Sequence, residues 1–260
     1  MSSGVLGWTS ATGAPQIEIA LGHDIALLAS ALGPPPKAAI DQAHSQGVMV
    51  AALIGRAEQA VRDVQQGVDI IIAQGYEAGG HTGEVASMVL IPDVVDAIAP
   101  VPVLAAGGIG TGRQVAAALA LGAQGVWMGS AFLTSAEYDL GVRTEAGTSV
   151  IQQALLAATS SDTVRRRIYT GKPARLLKSR WTEAWDADGA PEPLPMPLQN
   201  ILVSEAHQRM SESSDPTTVA MPVGQIVGRM NEIRPVADII AELVQGFEAA
   251  TKRLDGIRDD

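Results

Sequence analysis

The sequence predicts an α/β fold in which buried parallel strands alternate with helices, and three apolar runs carry most of that prediction. A short continuous apolar run is typical of a strand buried on both faces, as in parallel sheets. Small residues just after such a strand allow a ligand's phosphate to approach backbone N–H groups. The runs and the small residues that follow them are 70–72 with Gln74 and Gly75, 103–105 with Gly107 and Gly108, and 126–128 with Gly129 and Ser130.

Strand and helix signals alternate from residue 25 to residue 133, and a weaker unit precedes them. Thr111 has the character of a helix N-cap, and glycines follow several helices where a C-cap is needed. Right-handed crossovers between such strands produce a barrel or a doubly wound sheet. The predicted strands are residues 25–31, 48–54, 69–74, 101–106 and 125–128, with a weak one at 5–8, and the predicted helices are residues 15–21, 37–45, 57–66, 92–98 and 111–121.

The number of strands falls short of a complete barrel. A TIM-type (β/α)8 barrel has eight strands, whereas five clear units and one weak unit are found here. We therefore expect an N-terminally truncated barrel, or one that closes unusually, over residues 1–138. A mainly helical C-terminal extension without strands is expected over residues 139–260. Its predicted helices are residues 150–158, 162–168 and 236–254, and its proline-rich link lies near residues 190–198.

The formal net charge of −10 and the absence of cysteine exclude several classes of protein. A surface for nucleic acid or anionic membranes needs clustered Lys and Arg, and we interpret the basic cluster at residues 165–180 as a solvated helix face or a local anion contact. Without cysteine there are no disulfides, thiolate zinc sites or cysteine nucleophiles, which fits a cytoplasmic protein. No apolar run reaches the ~20 residues that span a membrane, and no signal peptide is evident.

His81 is the one histidine flanked by backbone-exposing glycines, and it is the candidate acid–base group. Its neighbour Glu77 is interpreted either as a helix cap or as a group that orients His81. Ser130 adds a hydroxyl donor, and a helix that begins near Ala131 is expected to direct its positive end at an anion. The four lysines lie outside the predicted strand ends, which disfavours a Schiff-base aldolase barrel. The histidines expected to be structural or exposed are His23, His44 and His207.

Two segments of the chain resemble the nitronate monooxygenase family, once called the 2-nitropropane dioxygenases. The first contains AQGYEAGGHTG and VPVLAAGGIGTGRQVAAALALGAQGVWMGSAFL within residues 25–138, and the second is YTGKPARLLKSRW at residues 169–181. Members of the family are FMN-dependent (β/α)8 barrels related to the flavin-dependent enoyl reductases of fatty-acid synthesis. The resemblance implies an FMN site within residues 1–138 and oxidation of a nitronate by dioxygen to a carbonyl compound and nitrite.

The resemblance also implies a role for each matching residue. His81 would act as the catalytic base or as a hydrogen-bond partner of the nitronate. The residues implied to bind FMN are Gln74, Gly79 and Gly80 at the isoalloxazine ring and ribityl chain, and Gly107, Gly108, Gly129 and Ser130 at the phosphate.

The sequence departs from the family at its N-terminus, where the A-P-M-type first strand and the glycine-rich second strand are not found. Without these two strands the sheet would have open edges at residues 5–8 and 125–128. The expected consequences are weak FMN binding, pairing with another chain as a homo-oligomer, or a fragment. Two other functions stay open: a flavin-dependent reductase that acts on enoyl or other acyl thioesters with NAD(P)H, and a non-catalytic barrel remnant.

Overall fold

The computed structural model describes residues 10–139, 141–144 and 147–258. The strands are β1 (Leu27–Ser30), β2 (Met49–Ile54), β3 (Ile70–Gln74), β4 (Gly80–His81), β5 (Val103–Ala106), β6 (Gly125–Trp127), β7 (Thr163–Arg166) and β8 (Ala174–Leu177). The α-helices are α1 (Ser10–Leu21), α2 (Lys37–Ser45), α3 (Ala57–Gln65), α4 (Ser87–Ile98), α5 (Gly112–Ala120), α6 (Val150–Ala157), α7 (Arg180–Asp186), α8 (Leu198–Ser211) and α9 (Val236–Arg258).

Five strands form a parallel sheet in the order β1-β2-β3-β5-β6. They coincide with the five clear strands predicted from the apolar runs, so this part of the prediction is confirmed. The predicted N-cap of α5 is confirmed as well, because the Thr111 side chain accepts a hydrogen bond from the backbone N–H of Gln114. The weak strand predicted at residues 5–8 lies outside the described residues.

One face of the parallel sheet is covered by the helices that connect its strands. Ile71 and Val103 point to this face and are fully buried, and they belong to one apolar cluster with Ile40, Leu90 and Val94 from the helices. Burial of each such side chain contributes about 1.5–3 kcal/mol. The continuous apolar runs of the sequence therefore have their cause in this helix-covered core.

The opposite face of the sheet presents the residues that alternate with these. Ala51, Ile72 and Ala106 are buried in a smaller apolar cluster on this face. At the carboxyl ends of the strands, Gln74 is paired with Ala106, and Ala106 with Trp127. These three residues therefore form one row at the edge of the sheet where parallel α/β folds bind ligands.

The parallel sheet is open within the described part of the chain. β1 and β6 occupy its two ends and do not pair with each other. The C-terminal helix α9 packs against α5, and Gly112 allows the close approach, since a Cβ there would lie 2.2 Å from the backbone nitrogen of Phe247. Among the helices in the described ranges, none is long and apolar enough to cross a membrane.

The prediction that the C-terminal region contains helices but no strands is wrong in part. Helices were predicted at residues 150–158 and 236–254 and are confirmed as α6 and α9. Residues 162–168, predicted as a helix, instead contain β7, which pairs antiparallel with β8, and β8 in turn pairs with β4 from the first half of the chain. The cause is long-range pairing, because a four-residue strand gains its hydrogen bonds from partners that a local helical pattern cannot indicate.

Candidate functional site

Two adjoining cavities open at the carboxyl ends of the parallel strands. The larger has a volume of about 570 Å³ and the smaller about 290 Å³. Leu53 and Gln74 line both cavities and therefore mark their boundary. Since both cavities begin where β2 and β3 end, the parallel sheet positions them directly.

The smaller cavity brings together most of the glycines that the sequence predicted as ligand contacts. Gly107 and Gly108 follow β5 with φ angles of +92° and +71°, a backbone region that favours glycine. A Cβ at Gly107 would lie only 3.0 Å from the Cβ of Ala78. Gly129 differs, since a Cβ there would meet nothing within 4 Å. The predicted residues that line this cavity are Gln74, Gly79, Gly107, Gly108, Gly129 and Ser130.

The smaller cavity is also lined by a segment that the sequence did not predict, which includes Pro222, Gly224 and Ile226. The backbone N–H of Gly224 donates to the Ser130 hydroxyl at 2.9 Å. Gly79 lies against the same segment, because a Cβ there would be 2.6 Å from the carbonyl carbon of Val223. The helix expected near Ala131 is a 3-10 helix of three residues, Ser130–Phe132. Backbone amides and one hydroxyl, rather than a long helix dipole, are the polar groups available here.

His81 lines the larger cavity and is held there by β4. Its Nε2 lies 2.6 Å from the Oγ1 of Thr170, a residue in the turn between β7 and β8. Partial burial lowers the pKa of His81, and the positive charge of Lys172 lowers it further. The imidazole is therefore biased toward its neutral form. Lys172 itself lines the same cavity, although the sequence had placed it outside any strand end.

Most of the basic cluster at residues 165–180 lies on β7, β8 and the turn between them rather than on a helix face, and two of its arginines are largely buried. Arg175 is 2% exposed, and its Nε and Nη2 donate to the backbone oxygen of Tyr76 at 3.2 and 2.9 Å. The guanidinium carbon of Arg175 lies 4.6 Å from the centroid of the Tyr76 ring. Arg165 donates from Nε to the Thr82 hydroxyl at 2.9 Å and from Nη1 to Glu84 at 2.6 Å. These two arginines clamp both ends of the loop that carries His81.

Glu77 caps a helix, one of the two roles considered for it. Its Oε2 accepts from the backbone N–H and the hydroxyl of Ser87, each at 3.0 Å, at the start of α4. The Ser87 hydroxyl also lies 3.0 Å from the backbone oxygen of Gly107. Glu77 thus fixes the loop after β3 relative to the glycines after β5, and it does not orient His81.

The remaining predicted residues lie apart from the two cavities or at their margin. Gly80 lines neither cavity and has a φ of +76° in β4. His44 is partly exposed and pairs with Asp69 at 2.8 Å. His207 stacks on Tyr169 with a centroid distance of 4.3 Å. These histidines have structural or surface positions, as the sequence indicated.

Known proteins resemble this chain over most of its length. A family model of nitronate monooxygenases matches residues 6–246. A protein of Mycobacterium tuberculosis named as a monooxygenase is 50% identical over 249 residues, which cover 94% of this chain and 64% of the relative. A protein of Bacillus subtilis named as a nitronate monooxygenase is 32% identical over 239 residues, which cover 88% of this chain and 66% of the relative. The chain thus spans just under two thirds of the length of these relatives.

Two solved structures show the same architecture. Nitroalkane oxidase from Streptomyces ansochromogenes has a TM-score of 0.82 at 27% identity, with 94% of this chain and 70% of that chain covered. FabK from Thermotoga maritima has a TM-score of 0.79 at 29% identity, with 93% and 74% covered. Together with the family model and the parallel β/α architecture, these likenesses identify the chain as a member of the nitronate monooxygenase family.

Proposed function

We propose that the chain provides the flavin site of an enzyme that uses FMN and dioxygen to oxidise nitronates to carbonyl compounds and nitrite. One observation carries the proposal: a glycine-lined cavity and a histidine-lined cavity meet at Gln74. The family to which the chain belongs supports the same chemistry. Bound FMN would supply the electron acceptor for the nitronate and the group that reduces dioxygen.

The smaller cavity fits the phosphate end of FMN. The open side of Gly129 leaves room for an anion beside bare backbone, and the Gly107-Gly108 pair exposes further backbone at the end of β5. Phosphate sites in β/α barrels form after the last strands in the same way. Ser130 can donate its hydroxyl hydrogen, since its oxygen accepts from Gly224. Gln74 and Gly79 would then contact the ribityl chain and the ring, and Gly80 holds the turn into β4.

The larger cavity fits the nitronate. Because the lowered pKa of His81 favours the neutral ring, His81 can form a hydrogen bond with an oxygen of the substrate. Lys172 adds a positive charge that favours an anion in the same cavity. Leu53 and Pro173 supply apolar surface next to these groups. His81 thus contacts the nitronate either as a base or as a hydrogen-bond donor.

The first experiment is a visible absorption spectrum of the purified chain before and after addition of FMN and passage over a desalting column. Retained flavin bands, followed by nitrite release from a nitronate in air, are the expected result. A colourless eluate would support a non-catalytic remnant instead. His81→Asn should keep the flavin and lose turnover, and full turnover in that variant would contradict the role of His81.

A second function is favoured by the likeness to FabK, which is 29% identical to this chain. In that case the flavin would reduce an enoyl or other acyl thioester with electrons from NAD(P)H. Anaerobic addition of NAD(P)H distinguishes the two functions. Rapid loss of the flavin absorbance would favour the reductase, whereas a nitronate monooxygenase does not need the nicotinamide.

A further inference from the structure

The hydroxyl of Thr170 is the polar neighbour of His81. Thr170 is 4% exposed, and its Oγ1 lies 2.6 Å from Nε2 of His81, although the two residues are 89 positions apart. The same oxygen accepts a hydrogen bond from the backbone N–H of Lys172 at 3.3 Å. The turn between β7 and β8 thereby places one hydroxyl against one nitrogen of the candidate catalytic ring.

The donors and acceptors at this contact determine where the protons lie. A hydroxyl has one hydrogen to donate and two lone pairs to accept with. The Lys172 N–H uses one lone pair, and within the described residues the hydroxyl hydrogen has no acceptor other than Nε2 of His81. A buried O–H without an acceptor is strongly disfavoured. The hydroxyl therefore donates to Nε2, which requires that Nε2 be unprotonated.

The other ring nitrogen then carries the proton. A neutral imidazole with an unprotonated Nε2 has its hydrogen on Nδ1. In the described part of the chain Nδ1 has no partner, and the ring lines the larger cavity. The lowered pKa of His81, caused by burial and by Lys172, is consistent with a neutral ring.

We propose that Thr170 is a positioning residue that fixes neutral His81 as the Nδ1–H tautomer, so that the ring offers a donor, and not a base, to a ligand in the larger cavity. The identity of that ligand as a nitronate rests on the proposed function, whereas the tautomer does not. The inference decides between the two roles left open for His81. An N–H donor suits the oxygen of a preformed anion.

The test is ¹⁵N NMR of histidine-labelled protein at about pH 8, above the ordinary histidine pKa. His81→Asn identifies the His81 ring signals by their disappearance. The expected wild-type spectrum has Nε2 unprotonated and Nδ1 protonated. Thr170→Ser should keep this pattern, and Thr170→Val, which matches threonine in size, should lose it. A protonated Nε2 in the wild type, or an unchanged pattern in Thr170→Val, would overturn the assignment.

Turnover adds a second readout. In Thr170→Val we expect kcat/KM for the nitronate to fall about tenfold, by analogy with the roughly 10–100-fold loss that follows removal of a hydrogen-bond partner from a metal-bound histidine, and Thr170→Ser should restore it. Wild-type kcat/KM in a Thr170→Val protein with an altered tautomer would overturn the donor role. If Thr170→Val does not fold, the wild-type and Thr170→Ser spectra decide the question. Failure to bind FMN would refute the proposed function and leave the NMR result intact.

Discussion

Gly129→Val is expected to weaken FMN binding at the proposed phosphate site without lowering the stability of the fold. Gly129 has a φ of −124°, which residues with side chains adopt, and a Cβ there meets nothing within 4 Å. A valine should therefore change the free energy of unfolding by no more than about 0.5 kcal/mol. Its methyl groups would instead project into the smaller cavity, where the phosphate of FMN is proposed to lie.

The loss of affinity follows from the hydrogen bonds that the valine displaces. If two charge-assisted contacts of about 1.5 kcal/mol each are lost, the binding free energy falls by about 3 kcal/mol, which raises Kd on the order of 100-fold. The assay is a fluorescence titration with FMN, alongside urea denaturation of the same samples. Gly256→Val is the matched control, since a Cβ at Gly256 also meets nothing within 4 Å but lies in α9. Unchanged FMN affinity in a stable Gly129→Val protein would refute the location of the phosphate.

Three further predictions concern buried or titratable side chains. Arg175→Met should lower the free energy of unfolding by about 3 kcal/mol, because it removes charge-assisted hydrogen bonds and leaves the Tyr76 oxygen unpaired. A loss below about 1 kcal/mol in urea denaturation would contradict a stabilising role for the contact between Arg175 and the loop that carries His81. Asp63→Ala should raise the free energy of unfolding by about 1 kcal/mol at neutral pH. Burial raises the pKa of Asp63 although the charge of Arg62, whose Nε lies 3.5 Å from Oδ1, opposes the shift, and within the described ranges the buried oxygens of Asp63 have no hydrogen-bond partner. A loss of stability in urea denaturation would show that the ion pair with Arg62 outweighs the cost of burying the carboxylate. His81→Gln should reduce the loss of folding stability on acidification. The pKa of His81 is lowered in the folded protein, so its stabilising effect is present above the unfolded pKa of about 6.5 and is lost as pH falls below it. Parallel plots of the free energy of unfolding against pH for wild type and variant, between about pH 7.5 and 5, would refute this.

The glycines that line the smaller cavity could be singled out from the sequence because their signal is local. Gly107 and Gly129 each follow an apolar run within a few residues, and a buried strand followed by small residues is readable without knowledge of the rest of the fold. His81, which lines the larger cavity, was singled out by its glycine neighbours in the same way. Its partners Thr170 and Lys172 were not, because they lie in a turn between two strands that the sequence pattern did not reveal.

Contacts between distant segments account for the other differences. The Thr163–Arg166 strand exists through pairing with β8, and β8 also pairs with β4, so its formation depends on residues far away in the sequence. Arg175 looked like part of a solvated charge cluster, and only the fold places it beneath Tyr76. Gly224 closes the smaller cavity by the same kind of long-range approach. Local patterns predict strands and turns, whereas the walls of a site depend on which distant segments meet.

The most direct test of the account is a crystal structure of the chain with FMN bound. We predict that the phosphate lies within hydrogen-bond distance of the backbone amides of Gly107-Gly108 and Gly129-Ser130, with the isoalloxazine ring at Gln74 and one edge toward His81. A phosphate in the larger cavity, beside Arg56 or Lys172, or a ring remote from His81, would contradict the assignment of the two cavities.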